Sequence, residues 1–139
     1  MSIVVQVRTP AGEWVTKTDR EVGLPGLSDW SSEDPRERSY VLYQRIAGVF
    51  SLRWPDLEPL CAFRGWPADM DPERVDVGDR GITHATLAEL RAADWCAAAD
   101  LCGSTPDDFA FVRWLSGPEL TALAAEHGPE GVRLLIGFD

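Results

Sequence analysis

A chain of 139 residues with 45% hydrophobic residues, six Trp and five Phe is long enough for one domain and too apolar for intrinsic disorder. Its formal net charge of −10 argues against direct binding to nucleic acid, because Lys and Arg supply most of the affinity for a phosphate backbone. The chain opens without a basic then apolar leader and contains no apolar stretch long enough for a bilayer, so a cytoplasmic protein with no membrane contact is expected.

Ile3, Val5 and Val7 alternate with other residues, Pro10-Ala11-Gly12 follows, and Trp14 and Thr16 resume the alternation. This pattern predicts an N-terminal β-hairpin with its turn at residues 9–12. Residues 19–36, rich in Gly, Pro, Ser and acidic side chains and without a period, read as a loop. From Glu37 to Val49 the apolar residues Tyr40, Val41, Tyr43, Ile46 and Ala47 recur at helical steps and predict an amphipathic helix.

Residues 54–81 hold four Pro and three Gly, which predicts an irregular segment with one short extended run near Leu60 to Phe63. Thr86 and Glu89 form the signature of a capping box ahead of a helix expected over Leu87 to Leu101, closed by Gly103. Thr105-Pro106-Asp107-Asp108 marks a second helix start, with Phe109, Val112 and Leu115 facing inward. Ser116 with Glu119 reads as a further capping box for a helix ending before Gly128. Val132 to Phe138, aliphatic without alternation, predicts a strand covered on both faces and lying beside the hairpin.

The expected fold is therefore a single α+β domain over 1–139. Its small antiparallel or mixed sheet, from the N-terminal hairpin and the C-terminal strand, is backed by about four helices. The predicted core is Val5, Val7, Leu42, Ile46, Leu87, Leu90, Leu120, Leu123, Leu134 and Ile136.

Charge is unevenly placed: residues 1–53 carry seven basic and seven acidic side chains, and residues 54–139 carry six and sixteen. Asp69, Asp71, Glu73, Asp76 and Asp79 fall together, and such a face either keeps the protein soluble or meets a basic partner. His84 follows that stretch. With Asp76 and Asp79 it is the one candidate metal set, an imidazole with hard oxygen ligands, set against a solvated loop whose histidine helps to cap a helix. Cys61, Cys96 and Cys102 fit no short-spaced metal or redox pattern and read as structural thiols. No phosphate loop, zinc-protease helix or nucleophile elbow is present, so no catalytic residue and no cofactor are assigned.

Trp30, Trp54 and Trp66 lie in irregular segments, where aromatics commonly anchor a partner. Arg64 beside Trp66 offers a guanidinium fork and a stacking plane to a small nucleotide ligand. The same residues also read as a packed Trp-Pro turn with its arginine in a salt bridge.

Several of these stretches resemble a family of uncharacterised phage and prophage proteins that typically begin MGCDIH. The counterparts are Arg38-Ser39-Tyr40-Val41-Leu42-Tyr43 running into Ile46-Ala47-Gly48-Val49, then Phe63-Arg64-Gly65-Trp66-Pro67-Ala68-Asp69, then His84-Ala85-Thr86-Leu87-Ala88-Glu89-Leu90, and finally Val132 to Asp139. The chain departs from the family at its start, where Ile3-Val4-Val5-Gln6 replaces Cys-Asp-Ile-His, so any site built on that motif is expected to be lost. The resemblance implies a phage or prophage setting and no mechanism. Together with the charge it leads to an expected non-enzymatic binding protein, in its specific version a host-defence inhibitor. The partner would be a host or phage protein with a basic surface, or a small nucleotide. The alternative is a small metal-dependent hydrolase or its degenerate relative, using His84 with Asp76 and Asp79.

Overall fold

In the computed structural model, residues 1–25, 35–70 and 81–138 are described, the stretch 35–39 by its backbone alone. Strands β1 (Ser2–Arg8) and β2 (Trp14–Lys17) form the expected antiparallel hairpin. Its turn is closed by Thr9 N–H donating to the Glu13 carbonyl at 2.8 Å, and Gly12 takes a φ of +86° that suits glycine. Strand β4 (Val132–Gly137) pairs with β1, Val5 facing Leu134, and strand β3 (Ile82–Thr86) pairs with the other side of β4, Ala85 facing Leu134. The sheet order is β2-β1-β4-β3 and every pairing is antiparallel.

Strand β3 was not expected. Its sequence, Ile82-Thr83-His84-Ala85-Thr86, has little aliphatic content and runs directly into a helix cap, so its strand character comes from pairing with β4. The expected extended run at Leu60 to Phe63 is not a strand. Its backbone is tied instead to the end of a helix, with Leu60 N–H donating to Arg45 O at 2.7 Å and Cys61 N–H to Ile46 O at 2.9 Å.

The helices are shorter and more numerous than the periodicity indicated. Residues 19–22, expected as loop, form a one-turn helix α1 (Asp19–Val22), because Thr18 and Glu21 make a reciprocal capping box and Gly23 closes it at φ +61°. Helix α2 spans Pro35–Ala47. The single helix expected over Leu87 to Leu101 is two, α3 (Leu87–Ala92) and α4 (Cys96–Leu101). Between them Ala93 is extended, the Asp94 carboxylate accepts from Cys96 N–H at 2.8 Å, and the buried Trp95 indole donates to the Leu90 carbonyl at 3.1 Å. These two side-chain hydrogen bonds replace intrahelical bonds that a continuous helix would make.

Thr105 and Asp108 cap a 3₁₀ turn, Pro106–Asp108, ahead of α5 (Ala110–Leu115). Helix α6 (Pro118–His127) begins at Gly117 and has no side-chain cap, so the Ser116–Glu119 capping box is not formed. The Glu119 carboxylate instead lies against Gly23, where an added Cβ would come within 2.6 Å of it.

Ile3, Val5, Val7, Leu134 and Ile136 project from one face of the sheet into a cluster with Leu42, Ile46, Leu87, Leu90 and Leu120. Nine of the ten expected core residues are buried; Leu123 is half-buried at the margin. Phe109 and Leu115 are buried as expected, Val112 only partly, and Phe111 is fully buried as well. The opposite face carries Gln6, Arg133, Leu135 and His84. Leu135 is completely buried yet stands outside the helix-facing cluster, so this second face is covered as well. No helix among the described residues is long and apolar enough to cross a membrane.

Candidate functional site

The cover of the second face is the irregular segment that follows α2. It rounds the β3 edge: the Thr83 hydroxyl donates to Cys61 O, and Arg64 N–H donates back to the same hydroxyl at 3.2 Å. Gly65, at φ +73°, donates its N–H to Ile82 O at 2.9 Å and receives His84 Nδ1 on its carbonyl at 2.8 Å. These bonds occupy the free edge of β3, which would otherwise be a template for another chain. The segment then crosses to Asp69, which bonds residues of β4 and β2. Residues 64–70 thus form a strap over the sheet face that the helices leave uncovered.

The sequence-derived ligand pair falls on this strap. Arg64 donates to the Glu89 carboxylate at 2.5 Å and to His84 O at 3.3 Å, while Trp66 is half-buried between Gly65 and the buried Pro67. Arg64 Nη1 is thus engaged with Glu89, the geometry of the salt-bridged turn. Glu89 is drawn away from the helix end as a result: Thr86 still accepts from Glu89 N–H at 3.1 Å, so only half of the expected capping box exists. His84 belongs to β3. Because a carbonyl can only accept, Nδ1 donates in this bond, and Nε2 takes no part in it.

Asp69 is the far clasp of the strap. Its Oδ1 accepts from Arg133 Nη1 at 2.7 Å and its Oδ2 from the Trp14 indole at 2.7 Å. The hydrogen bond from Arg133 holds this carboxyl below the usual carboxylate range. Arg133 also donates from Nε to Gln6 Oε1 at 2.9 Å, and Gln6 Nε2 donates to the Thr16 hydroxyl at 3.1 Å. The Arg133 guanidinium lies over the Trp14 ring at 4.0 Å. Asp69 is thus a structural carboxylate rather than a free surface charge. Asp71, Glu73, Asp76, Asp79 and Trp30 lie outside the described residues. No group of three His, Cys, Asp or Glu side chains close enough to hold a metal ion occurs among the described residues, around His84 or elsewhere.

A concavity lies on the other side of the molecule, between residues 53–58 and α4. It encloses about 360 Å³ and is lined by Arg53, Trp54, Asp56, Leu57, Ala97 and Leu101. A second hollow of about 270 Å³ adjoins it through Asp56, Leu57 and Ala97, and adds Arg45, Glu58 and Asp94. Arg45 joins the walls, donating to Glu58 O at 2.7 Å and Asp94 O at 3.1 Å. Trp54 is half-buried beneath the Arg53 guanidinium at 4.8 Å, and Leu101 is 53% exposed. Trp54, one of the aromatics of the irregular segments, therefore borders a cavity. The groove residues of α4 were missed by the sequence reading, because a continuous helix over 87–101 gives no gap for Asp94 and no reason for Leu101 to stand exposed.

The cluster around Arg133 was missed too, although it left a signal: an arginine inside an otherwise aliphatic covered strand needs a buried partner. No family model, curated protein or solved structure matches this chain.

Proposed function

We propose that this chain is a non-enzymatic binding protein of the phage and prophage type, which engages a protein partner through the groove between residues 53–58 and α4. The observation that carries the reading is the groove itself: an apolar floor of Trp54, Leu57, Ala97 and Leu101 with three carboxylates, Asp56, Glu58 and Asp94, and two arginines, Arg45 and Arg53, around it. Such a site takes an apolar anchor flanked by Lys or Arg, because the anchor displaces water from the floor while the rim carboxylates select the basic neighbour. The net charge of −10 favours the same basic partner and accelerates its encounter at low salt. A host-defence protein with a basic surface is the specific partner proposed, on the resemblance to phage proteins.

The test compares the partner captured by the unaltered chain with that captured by Leu101→Arg, and by Asp56→Lys combined with Glu58→Lys. Capture that is lost in both variants and weakens with added salt supports the groove. Capture unchanged in both, but lost on charge reversal at Asp71, Glu73, Asp76 and Asp79, moves the interface to the acidic segment; Asp69 is left intact because it holds Arg133.

A second reading keeps one specific observation. His84 bonded through Nδ1 to a backbone carbonyl has the orientation of a histidine that ligates through Nε2. A metal-dependent hydrolase, or its degenerate relative, then requires one divalent ion per chain. Elemental analysis showing no bound metal, with the same melting temperature in chelator, removes this reading.

A further inference from the structure

The outer face of the sheet holds a charge that its neighbours leave incompletely matched. The Arg133 side chain is 7% exposed. Its Nε and Nη1 are bonded to Gln6 and Asp69, but Nη2 is fully buried and has no hydrogen-bond partner among the described residues. A buried guanidinium donor without an acceptor loses its hydration and gains nothing in return, so such groups in native proteins call for an explanation.

The local charge count points the same way. The Arg8 guanidinium lies 5.6 Å from the centre of the Trp14 ring, the ring that Arg133 covers at 4.0 Å. Arg8 has no carboxylate partner among the described residues, and Asp69 is the one carboxylate on Arg133. Among the described residues, two guanidiniums therefore lie against one indole and only Arg133 has a carboxylate partner, a local excess of positive charge in a chain of net charge −10. A water molecule could accept from Nη2, but it would leave that excess in place.

We propose that Arg133, Trp14 and Arg8 form a binding site for a small oxyanion, the carboxylate or phosphate group of a small-molecule ligand. One oxygen accepts from Arg133 Nη2, the Arg8 guanidinium supplies the second positive charge, and the indole forms the apolar wall. Asp69 is the solvent-facing carboxylate beside Arg133. Both its oxygens are already engaged and its side chain is 58% exposed, so entry runs past this carboxylate, which weakens the incoming anion by like-charge repulsion. The site lies on the strap side of the sheet and shares no residue with the groove, so the two proposals fail independently.

The experiment uses the full chain in a buffer free of phosphate and carboxylate, titrated separately with inorganic phosphate and with acetate. Calorimetry is read together with the nitrogen-15 resonance of Arg133 Nε. The expected result is a saturable response to at least one anion, with a shift of the Arg133 resonance; the anion that responds identifies the class. Arg8→Gln, an exposed position that leaves the fold intact, is expected to weaken binding about two- to fivefold, the range of one exposed charge interaction. Asp69→Asn is expected to tighten it by a similar factor, the opposite of what a merely structural carboxylate would give. No saturable response to either anion in the unaltered chain and in Asp69→Asn leaves a buried water as the partner of Nη2 and overturns the proposal. So does a response that Arg8→Gln does not change.

Discussion

Asp69 shows how one side chain changes meaning once its neighbours are known. As part of an acidic run it reads as surface charge; in the fold it neutralises a buried arginine and anchors a tryptophan. Asp69→Asn is expected to cost about 1–2 kcal/mol at pH 7. The figure is held below that for breaking a fully buried pair because the carboxylate is largely exposed. Its folded pKa is lowered, chiefly by the hydrogen bond from Arg133, so the stabilisation is present above the unfolded carboxylate value near pH 4. It disappears as pH falls through the lower folded value. Urea midpoints of the two proteins should therefore differ at pH 7 and 5 and draw together as pH is lowered below about 4; a gap that stays constant as acid is added would contradict this role.

The thiols follow the same logic at the scale of single residues. Cys61 is buried, and burial pushes its thiol up; Cys96 is exposed, and its hydrogen bond with Asp94 pushes its thiol up as well. A thiol-reactive disulfide at pH 7.5 should label Cys96 in the native protein and Cys61 only on unfolding. Asp94→Asn should speed the Cys96 reaction, because the thiolate then forms without a carboxylate beside it.

At the scale of elements, local signatures proved reliable where they could be satisfied locally. Three stretches carry the Ser/Thr-x-x-Glu pattern of a capping box: Thr18 with Glu21 forms the complete box on α1, Thr86 caps α3 by accepting from Glu89 N–H, and the helix after Ser116 starts at Gly117 without a side-chain cap. Thr86→Ala is expected to lower stability by about 1 kcal/mol, and Ser116→Ala to stay within about 0.5 kcal/mol of the unaltered protein. Chemical denaturation of the pair checks the contrast, and equal losses would mean that sequence pattern rather than geometry governs these caps. The break between α3 and α4 escaped the periodicity because Ala93 and Ala97 continue the helical stripe. What interrupts it is a side chain, Asp94, taking the amide of Cys96, and a tryptophan turned back onto Leu90. Strand β3 escaped for the complementary reason: short and polar, it is a strand because β4 offers it an edge.

At the scale of the whole molecule, the sheet is covered on both faces, by helices on one and by the strap of residues 64–70 on the other. Leu135 reports on that second layer. If its face met solvent, Leu135→Ala would be nearly neutral; buried as it is, the substitution is expected to cost about 2–4 kcal/mol, comparable with Leu134→Ala on the helical side. Equilibrium unfolding in urea measures both, and a loss below about 0.5 kcal/mol at Leu135 would show that the strap does not cover it.

The amino-acid sequence by itself determined the α+β class, the hairpin, the aliphatic strand buried on both faces and nine of the ten core positions. These follow from periodicity and turn chemistry, which act over a few neighbouring residues. The tertiary structure alone decided that Arg64 closes on Glu89, that Asp69 and Trp14, 55 residues apart, share a hydrogen bond, and that Arg133 lies buried between them. It also decided that Trp54 faces a groove against α4. Each of these depends on how a strap without a period crosses a sheet or meets a helix, and a chain of Pro and Gly turns leaves no periodic mark of where it will land.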